Sequence, residues 1–81
     1  MFKVKLQLND EEYKSSGKTL LEALRNLKQP GIIKTTGIIW VTDGERSLEK
    51  GLNIPKLKSL FNDHNDIYRE IMAKNLSLFL K

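Results

Sequence analysis

The sequence contains no cysteine and only one histidine among its 81 residues. The lack of cysteine excludes disulfide bonds, thiolate catalysis and thiolate metal sites, and it fits a reducing compartment. No stretch approaches the run of about 18 apolar residues that a membrane span requires. The start, MFKVKLQLND, lacks the apolar core of a signal peptide. We therefore expect a cytoplasmic protein without membrane contact.

Neither sign of charge dominates the composition. The chain has 14 Lys and Arg against 10 Asp and Glu, which gives a net charge of +4, and 40% of its residues are hydrophobic. These values are typical of a folded protein and not of a disordered one. A chain of this length is expected to form a single small domain over residues 1–81. The mild positive excess permits nucleic acid or an acidic partner and requires neither.

The N-terminal region alternates between apolar and polar residues, which predicts a strand with one face inside. Asn9-Asp10 then forms a two-residue turn, and a second strand follows over residues 11–16. This loop length predicts two cross-strand pairs: Leu6 with Tyr13, and Lys5 with Lys14.

The triplet Gly17-Lys18-Thr19 matches the end of a phosphate-binding P-loop. However, Glu12 stands where the first glycine of that motif belongs, and its carboxylate would repel a phosphate. Thr19 and Glu22 instead have the spacing of a helix capping box. Apolar residues at helical spacing follow, so the sequence predicts a helix over residues 19–29 and no nucleotide site.

A run rich in β-branched residues leads into Asp43-Gly44, a strong signal for a hairpin with a type I′ turn. The return strand is expected over residues 45–50. With Asp43-Gly44 as a two-residue loop, the predicted cross-strand pairs are Ile38 with Glu49, Ile39 with Leu48, Trp40 with Ser47, and Val41 with Arg46.

The C-terminal part, residues 51–81, is predicted to be helical. Asn53 can cap a short helix with Pro55 in its first turn. A helix from Asp66 is then favoured over the alternative that residues 76–80 form a strand. Its predicted inner stripe is Ile67, Tyr68, Ile71, Met72, Leu76 and Phe79.

These elements define an α+β fold in which residues 1–50 form a hairpin, a helix and a second hairpin, followed by one or two helices. The order of residues 1–50 resembles the β-grasp arrangement of the immunoglobulin-binding domains of protein G. That resemblance implies a four-stranded sheet whose first and last strands pair in parallel at the centre, with the helix across one face. It concerns topology alone, so it assigns no functional residue.

Signals for catalysis are weak. His64 lies in the polar segment NDHND, which lacks the glycine and distal glutamate of a calcium loop and is best explained as a solvated turn that caps the next helix. We expect no catalytic residue, no metal and no cofactor, and we predict a non-enzymatic module, with an unrecognised enzyme as a remaining alternative.

The most informative feature is the polar side of the predicted sheet, which combines lysines with a tryptophan. This candidate binding face consists of Lys3, Lys5, Lys14, Lys34, Thr36, Ile38 and Trp40, diluted by Glu12 and Glu49. The favoured expectation is that the C-terminal helix packs on this face and buries Ile38 and Trp40, because an amphipathic helix must pack somewhere. Otherwise the face is open to a ligand or to a second copy of the chain.

Three functional hypotheses follow. The first is a protein-interaction or regulatory module whose partner is another protein or a second copy. The second is a weak binder of single-stranded nucleic acid, in which lysines hold the backbone and Trp40 stacks on a base. The third is a helix-turn-helix over residues 54–79. Its second helix would present Asp66, Arg69, Glu70, Ala73 and Lys74, and the two carboxylates among them oppose DNA contact.

Overall fold

The computed structural model describes residues 1–61 and 66–80, and it shows an α+β fold. The elements in chain order are β1 (Phe2–Leu8), β2 (Glu11–Gly17), α1 (Leu20–Asn26), β3 (Gly37–Thr42), β4 (Ser47–Leu52), α2 (Ile54–Leu60) and α3 (Asp66–Phe79). Within the described ranges, no helix is both long and apolar enough to cross a bilayer.

The strands form one sheet in the order β2-β1-β3-β4, and all neighbouring strands are antiparallel. This arrangement differs from the β-grasp expectation, because β1 pairs with β3 and no parallel pair lies at the centre. The amino-acid pattern explains the difference: β3 carries Ile39 and Val41, which are almost fully buried. The more polar β4, with Glu49 and Lys50, takes the edge, where charged residues also discourage pairing with other chains.

The first hairpin confirms its predicted register, with Lys5 opposite Lys14 and Leu6 opposite Tyr13. The second hairpin differs from its prediction by two residues. Val41 lies opposite Leu48, and Trp40 lies opposite Glu49. Because side chains alternate with a period of two, a slip of two residues leaves every side chain on its expected face of the sheet.

The side chain of Asp43 explains the slip, because it organises a longer loop. Its Oδ1 accepts hydrogen bonds from the backbone amides of Glu45 at 2.9 Å and Arg46 at 2.7 Å, and Oδ2 accepts from the Arg46 guanidinium. These bonds, led by those from the two backbone amides, lower the pKa of Asp43 to about 2. Within the loop only Gly44 has a positive φ, of 101°, whereas a type I′ turn requires two such residues.

Helix α1 begins as predicted, with the Thr19 hydroxyl accepting a hydrogen bond from the Glu22 amide at 3.1 Å. It ends at Asn26, earlier than expected. The helix packs on β2, where the Ser15 hydroxyl donates to the Ala23 carbonyl at 2.6 Å. The contact is so close that a Cβ atom on Gly17 would lie 2.6 Å from the Ala23 nitrogen.

Helices α2 and α3 confirm the helical prediction for the C-terminal part, including residues 76–79. Asn53 caps α2 by accepting a hydrogen bond from the Lys56 amide at 2.9 Å. The predicted inner stripe of α3 is partly wrong. Met72 and Leu76 are buried as expected, but the other buried positions are Arg69 and Ala73, while Ile67, Ile71 and Phe79 are exposed.

An ion pair fixes the start of α3 against α1. Arg25 donates to both carboxylate oxygens of Asp66, and Nε–Oδ2 measures 2.9 Å. Arg69, one turn into α3, lies 3.4 Å from the same carboxylate. The hydrogen bonds from Arg25, followed by the positive charges of both arginines, lower the pKa of Asp66. Such a two-pronged contact orients a helix more firmly than a single bond does, and it explains why Arg69 turns inward.

All three helices contribute to one apolar cluster, which lies on one side of the sheet. We call this side the covered face. Its buried strand residues are Val4, Leu6, Leu8, Ile39, Val41 and Leu52. The alternate strand positions point to the other side, which we call the open face. The expectation that the C-terminal helix covers Ile38 and Trp40 is therefore wrong: Ile38 is 41% exposed, and Trp40 is only half-buried.

Candidate functional site

The strand pairing arranges the open face as three rows of side chains that run across the four strands. In the order β2, β1, β3, β4, the middle row is Lys14, Lys5, Trp40 and Glu49. One flanking row is Ser16, Lys3, Thr42 and Ser47, and the other is Glu12, Gln7, Ile38 and Gly51. The open face thus brings five of the seven predicted site residues together: Lys3, Lys5, Lys14, Ile38 and Trp40.

Trp40 is at the centre of the open face, and its ring is in contact with a cation. The Lys5 ammonium lies 4.3 Å from the ring centroid. A cation over an aromatic face is attracted by the ring quadrupole, by roughly 0.5–1 kcal/mol at exposed sites. The Lys5 side chain thus lies over one face of the indole.

The lysines of the open face are also paired with acid. The Glu12 carboxylate lies 3.9 Å from the Lys5 ammonium and 3.5 Å from that of Lys14. Exposed ion pairs of this kind contribute little and are screened by salt. They hold the side chains loosely, so a ligand that carries negative charge can compete with Glu12 for both lysines.

A shallow trough of about 320 Å³ lies on this face. The side chains that border it come from the middle row and from the flanking row that contains Lys3. They are Lys3, Lys5, Lys14, Trp40, Thr42 and Ser47. The intervening residues Val4, Ser15, Val41 and Leu48 also line it, and because their side chains point to the covered face they contribute backbone to its floor. The trough therefore crosses all four strands, with Trp40 at its side.

Two predicted site residues are not on the open face. Lys34 and Thr36 precede β3, because the strand begins only at Gly37. A side chain at position 37 would clash with β1, since a Cβ atom on Gly37 would lie 2.5 Å from Leu8 Cδ2. Lys34 instead lines a depression beside Asp10 and the rest of the β1–β2 turn.

The structure also explains the P-loop-like triplet in structural terms. Gly17 is the last residue of β2, and it has no side chain because α1 lies against it. The Thr19 hydroxyl is engaged as the cap of α1. Gly17 and Thr19 thus have local structural roles, and only Lys18 of the triplet has none within the described part of the chain.

Other proposed sites receive no support from the described residues. His64 and Asp63 of the NDHND segment lie outside those residues, so the expectation for this turn stays a prediction. Within 1–61 and 66–80, no group of three or more His, Asp or Glu side chains is placed to hold a metal ion. In the helix-turn-helix hypothesis α3 would present Arg69 and Ala73, but both are 8% exposed, so that presentation is wrong.

Thr42 and Ser47 line the trough but did not appear among the predicted site residues, and neither did Ser16, which lies beside Lys3 in the same row of the open face. The alternation of β1 and β2 carried the signal for Ser16, since it faces Lys3 across the hairpin. Ser47 joins this row only in the observed register, which depends on the bonds that Asp43 makes.

Comparison with known proteins adds no assignment, because no protein-family model, curated protein or solved structure matches the chain. The open face combines an aromatic side chain, cations and a shallow trough.

Proposed function

We propose that this chain is a small binding module that acts through the open face of its sheet, and that its ligand is single-stranded nucleic acid. The observation that carries the proposal is that all three helices pack on the opposite side, which leaves Trp40 and three lysines on an uncovered sheet. An antiparallel sheet that displays an aromatic ring among cations suits unpaired bases, because the ring stacks on a base and the cations neutralise phosphates.

The geometry suggests how a strand would lie. The trough crosses the sheet from Lys14 on β2 to Ser47 on β4, so a nucleic-acid backbone that follows it would pass Lys3 and Lys5. Hydroxyl groups of the flanking row that contains Lys3, such as that of Thr42, can donate to phosphate or sugar oxygens. None of these contacts distinguishes one base from another, so we expect little sequence preference.

Binding requires Lys5 to leave the indole of Trp40, because a base needs the ring face that the ammonium now covers. The exchange is favourable on general magnitudes. The cation–π contact is worth roughly 0.5–1 kcal/mol at an exposed site, while stacking of a base contributes roughly 1–3 kcal/mol. The released ammonium is then free to pair with a phosphate. Lys5 thus acts as a removable cover for the stacking surface.

A protein partner on the same face is the second candidate. It is favoured by the local charge, since the three lysines of the open face are offset by Glu12 and Glu49. It is also favoured by Ile38, an apolar side chain that is 41% exposed near Trp40. Aromatic and aliphatic residues at the centre of a patch are typical of protein interfaces.

The test is fluorescence anisotropy with labelled oligo(dT) and oligo(U) at low and at physiological salt. We expect binding whose affinity falls as salt rises, because each neutralised phosphate releases counterions. Trp40→Ala should weaken binding by roughly 1–3 kcal/mol while the circular dichroism spectrum stays unchanged. Trp40→Phe should retain part of the affinity, since a smaller ring still stacks.

Matched lysine variants separate a specific face from general charge. Lys14→Glu should weaken binding more than Lys34→Glu, because both change the net charge equally but Lys34 lies at the β1–β2 turn and not on the open face. Equal losses would indicate binding through net charge alone. If neither oligonucleotide binds wild type at low salt, the nucleic-acid proposal fails and the protein partner becomes the better candidate.

A further inference from the structure

A second surface lies on the far side of the molecule from the open face, along α3. Three aliphatic side chains recur at helical spacing on the side of α3 opposite its buried residues. They are Ile67, which is 64% exposed, Ile71, which is 51% exposed, and Leu78, which is 74% exposed. Three large aliphatic side chains on one exposed helix face are unusual in a monomer, and contiguous apolar surface of this kind marks interaction sites.

The apolar stripe continues into a concavity between β4, α2 and α3. Its volume is about 90 Å³, and Ile71 belongs to both the stripe and its wall. Leu52, Met72 and Leu76 contribute apolar surface to the lining. A bound water needs roughly 10–15 Å³ of such space, so one aliphatic side chain could occupy the concavity in place of several waters.

Positive charge borders the concavity. Lys50 and Lys56 line it, and none of the lining residues that the structure describes is acidic. Lys74 is exposed next to the stripe, where Glu70 is the nearby acid of the same helix. The Lys50 ammonium lies 5.8 Å from the ring centroid of Phe79, which is 58% exposed. The apolar surface is therefore bordered by a net excess of lysine.

This charge distribution decides between occupants. A second copy of the chain would bring the same lysines against Lys50 and Lys56, and like charges at an interface oppose association. A nucleic acid would satisfy the lysines but would leave the aliphatic stripe without a partner. An acidic segment with aliphatic anchors satisfies both features.

We propose that α3 and the adjoining concavity form a docking site for an acidic amphipathic helix of another protein. The exposed stripe spans residues 67–78, which corresponds to roughly 16 Å at 1.5 Å per residue. It is long enough for anchors at positions i, i+3 or i+4, and i+7 of a docked helix, which span roughly 10.5 Å at the same rise. One anchor enters the concavity beside Ile71, and carboxylates on its flanks face Lys50 and Lys56. This site is independent of the open face.

The experiment uses two synthetic helical peptides with identical leucine positions, one with glutamate and one with lysine at the flanking positions. Binding to the full chain is measured by fluorescence anisotropy. We expect the acidic peptide to bind and the basic peptide not to bind. Ile71→Glu should reduce the affinity at least about tenfold, because it places a charge in the apolar centre of the contact.

Two lysines of α2 provide a matched pair. Lys56→Glu should weaken the acidic peptide and improve binding of the basic one, whereas Lys58→Glu should change neither, because Lys58 does not line the concavity. If the acidic peptide does not bind wild type, or if both substitutions have equal effects, the proposal is wrong.

Two further outcomes would also overturn it. Sedimentation showing a wild-type dimer that Ile71→Glu dissociates would assign the surface to a second copy. Oligonucleotide binding that is lost in Lys56→Glu and kept in Trp40→Ala would assign it to nucleic acid. The proposal for the open face has the opposite dependence on these two variants, so failure of one proposal is distinguishable from failure of the other.

Discussion

The covered and open faces of the sheet come from the same four strands, yet they differ sharply in burial. Leu6 and Ile39 on the covered face are fully buried, whereas their strand neighbours Lys5 and Trp40 on the open face contact each other beside solvent. The buried apolar cluster lies on the covered face, so we expect that face to supply most of the stability and substitutions on the open face to cost less.

The largest expected effect comes from emptying the covered face. Leu6→Ala should lower the free energy of unfolding by about 2–5 kcal/mol, because it leaves a cavity in the apolar cluster. Trp40→Ala removes a side chain of the open face from β3, the strand that pairs with β1. It should lower the free energy of unfolding by only about 1–2 kcal/mol, because only the contacts of the ring are lost. Urea unfolding followed by circular dichroism measures both. A Trp40→Ala loss as large as that of Leu6→Ala would contradict the separation of the two faces.

Two glycines offer a finer comparison. Gly17→Ala should destabilise the protein by about 1–3 kcal/mol, because the new methyl group would press on the backbone of α1. Gly51→Ala, on the open face of β4, meets no atom within 4 Å. It should leave stability unchanged or raise it by about 0.5–1 kcal/mol, since alanine restricts the unfolded chain more than glycine does. The melting temperature of each variant is compared with that of wild type. If both change in the same direction, the assignment of these positions to opposite faces is wrong.

The smallest expected effect concerns the loop whose length sets how the rows of the open face align. The folded pKa of Asp43, about 2, lies below the ordinary value of 3.8. Its ionised form therefore stabilises the fold fully above pH 4, and this contribution disappears as the pH falls through the folded pKa. Asp43→Asn should flatten the dependence of unfolding free energy on pH between about 4 and 2. An unchanged pH profile would mean that the charge of Asp43 does not contribute.

Local sequence signals were reliable for the helix caps and the first hairpin, which short-range chemistry decides. The caps at Thr19 and Asn53 and the first hairpin were predictable because their partners lie within a few residues. Which side chains point to each face of the sheet was also predictable. The error in the β3–β4 register did not change these assignments, because it was a shift of two residues. The Asp43 loop was missed because side-chain bonds to the backbone outweighed the preference of Asp-Gly for a tight turn.

Long-range choices could not be read in the same way. Both faces of the sheet were possible packing surfaces for the C-terminal helix, because Ile38 and Trp40 offered apolar surface on the open face. The sequence alone did not determine that α3 would join α1 on the covered face. Asp66 carries the signal in hindsight, since its contact with Arg25 fixes α3, but 41 residues separate the two. The outward position of Ile71 was also missed, because α3 contains more apolar residues than one helix face can bury.

The position of β1 between β2 and β3 has a consequence for biosynthesis. Its pairing with β2 closes a two-residue turn, but its pairing with β3 joins Gln7 to Ile38 and Lys3 to Thr42. That second pairing closes a loop of about 30–40 residues, and the entropy of closure precedes any gain from contact. While a ribosome extends the chain, β1 therefore has one free edge, carrying unpaired amide and carbonyl groups, until β3 has emerged. During that interval the lysines at positions 3 and 5 are the residues that protect this edge from pairing with another nascent chain.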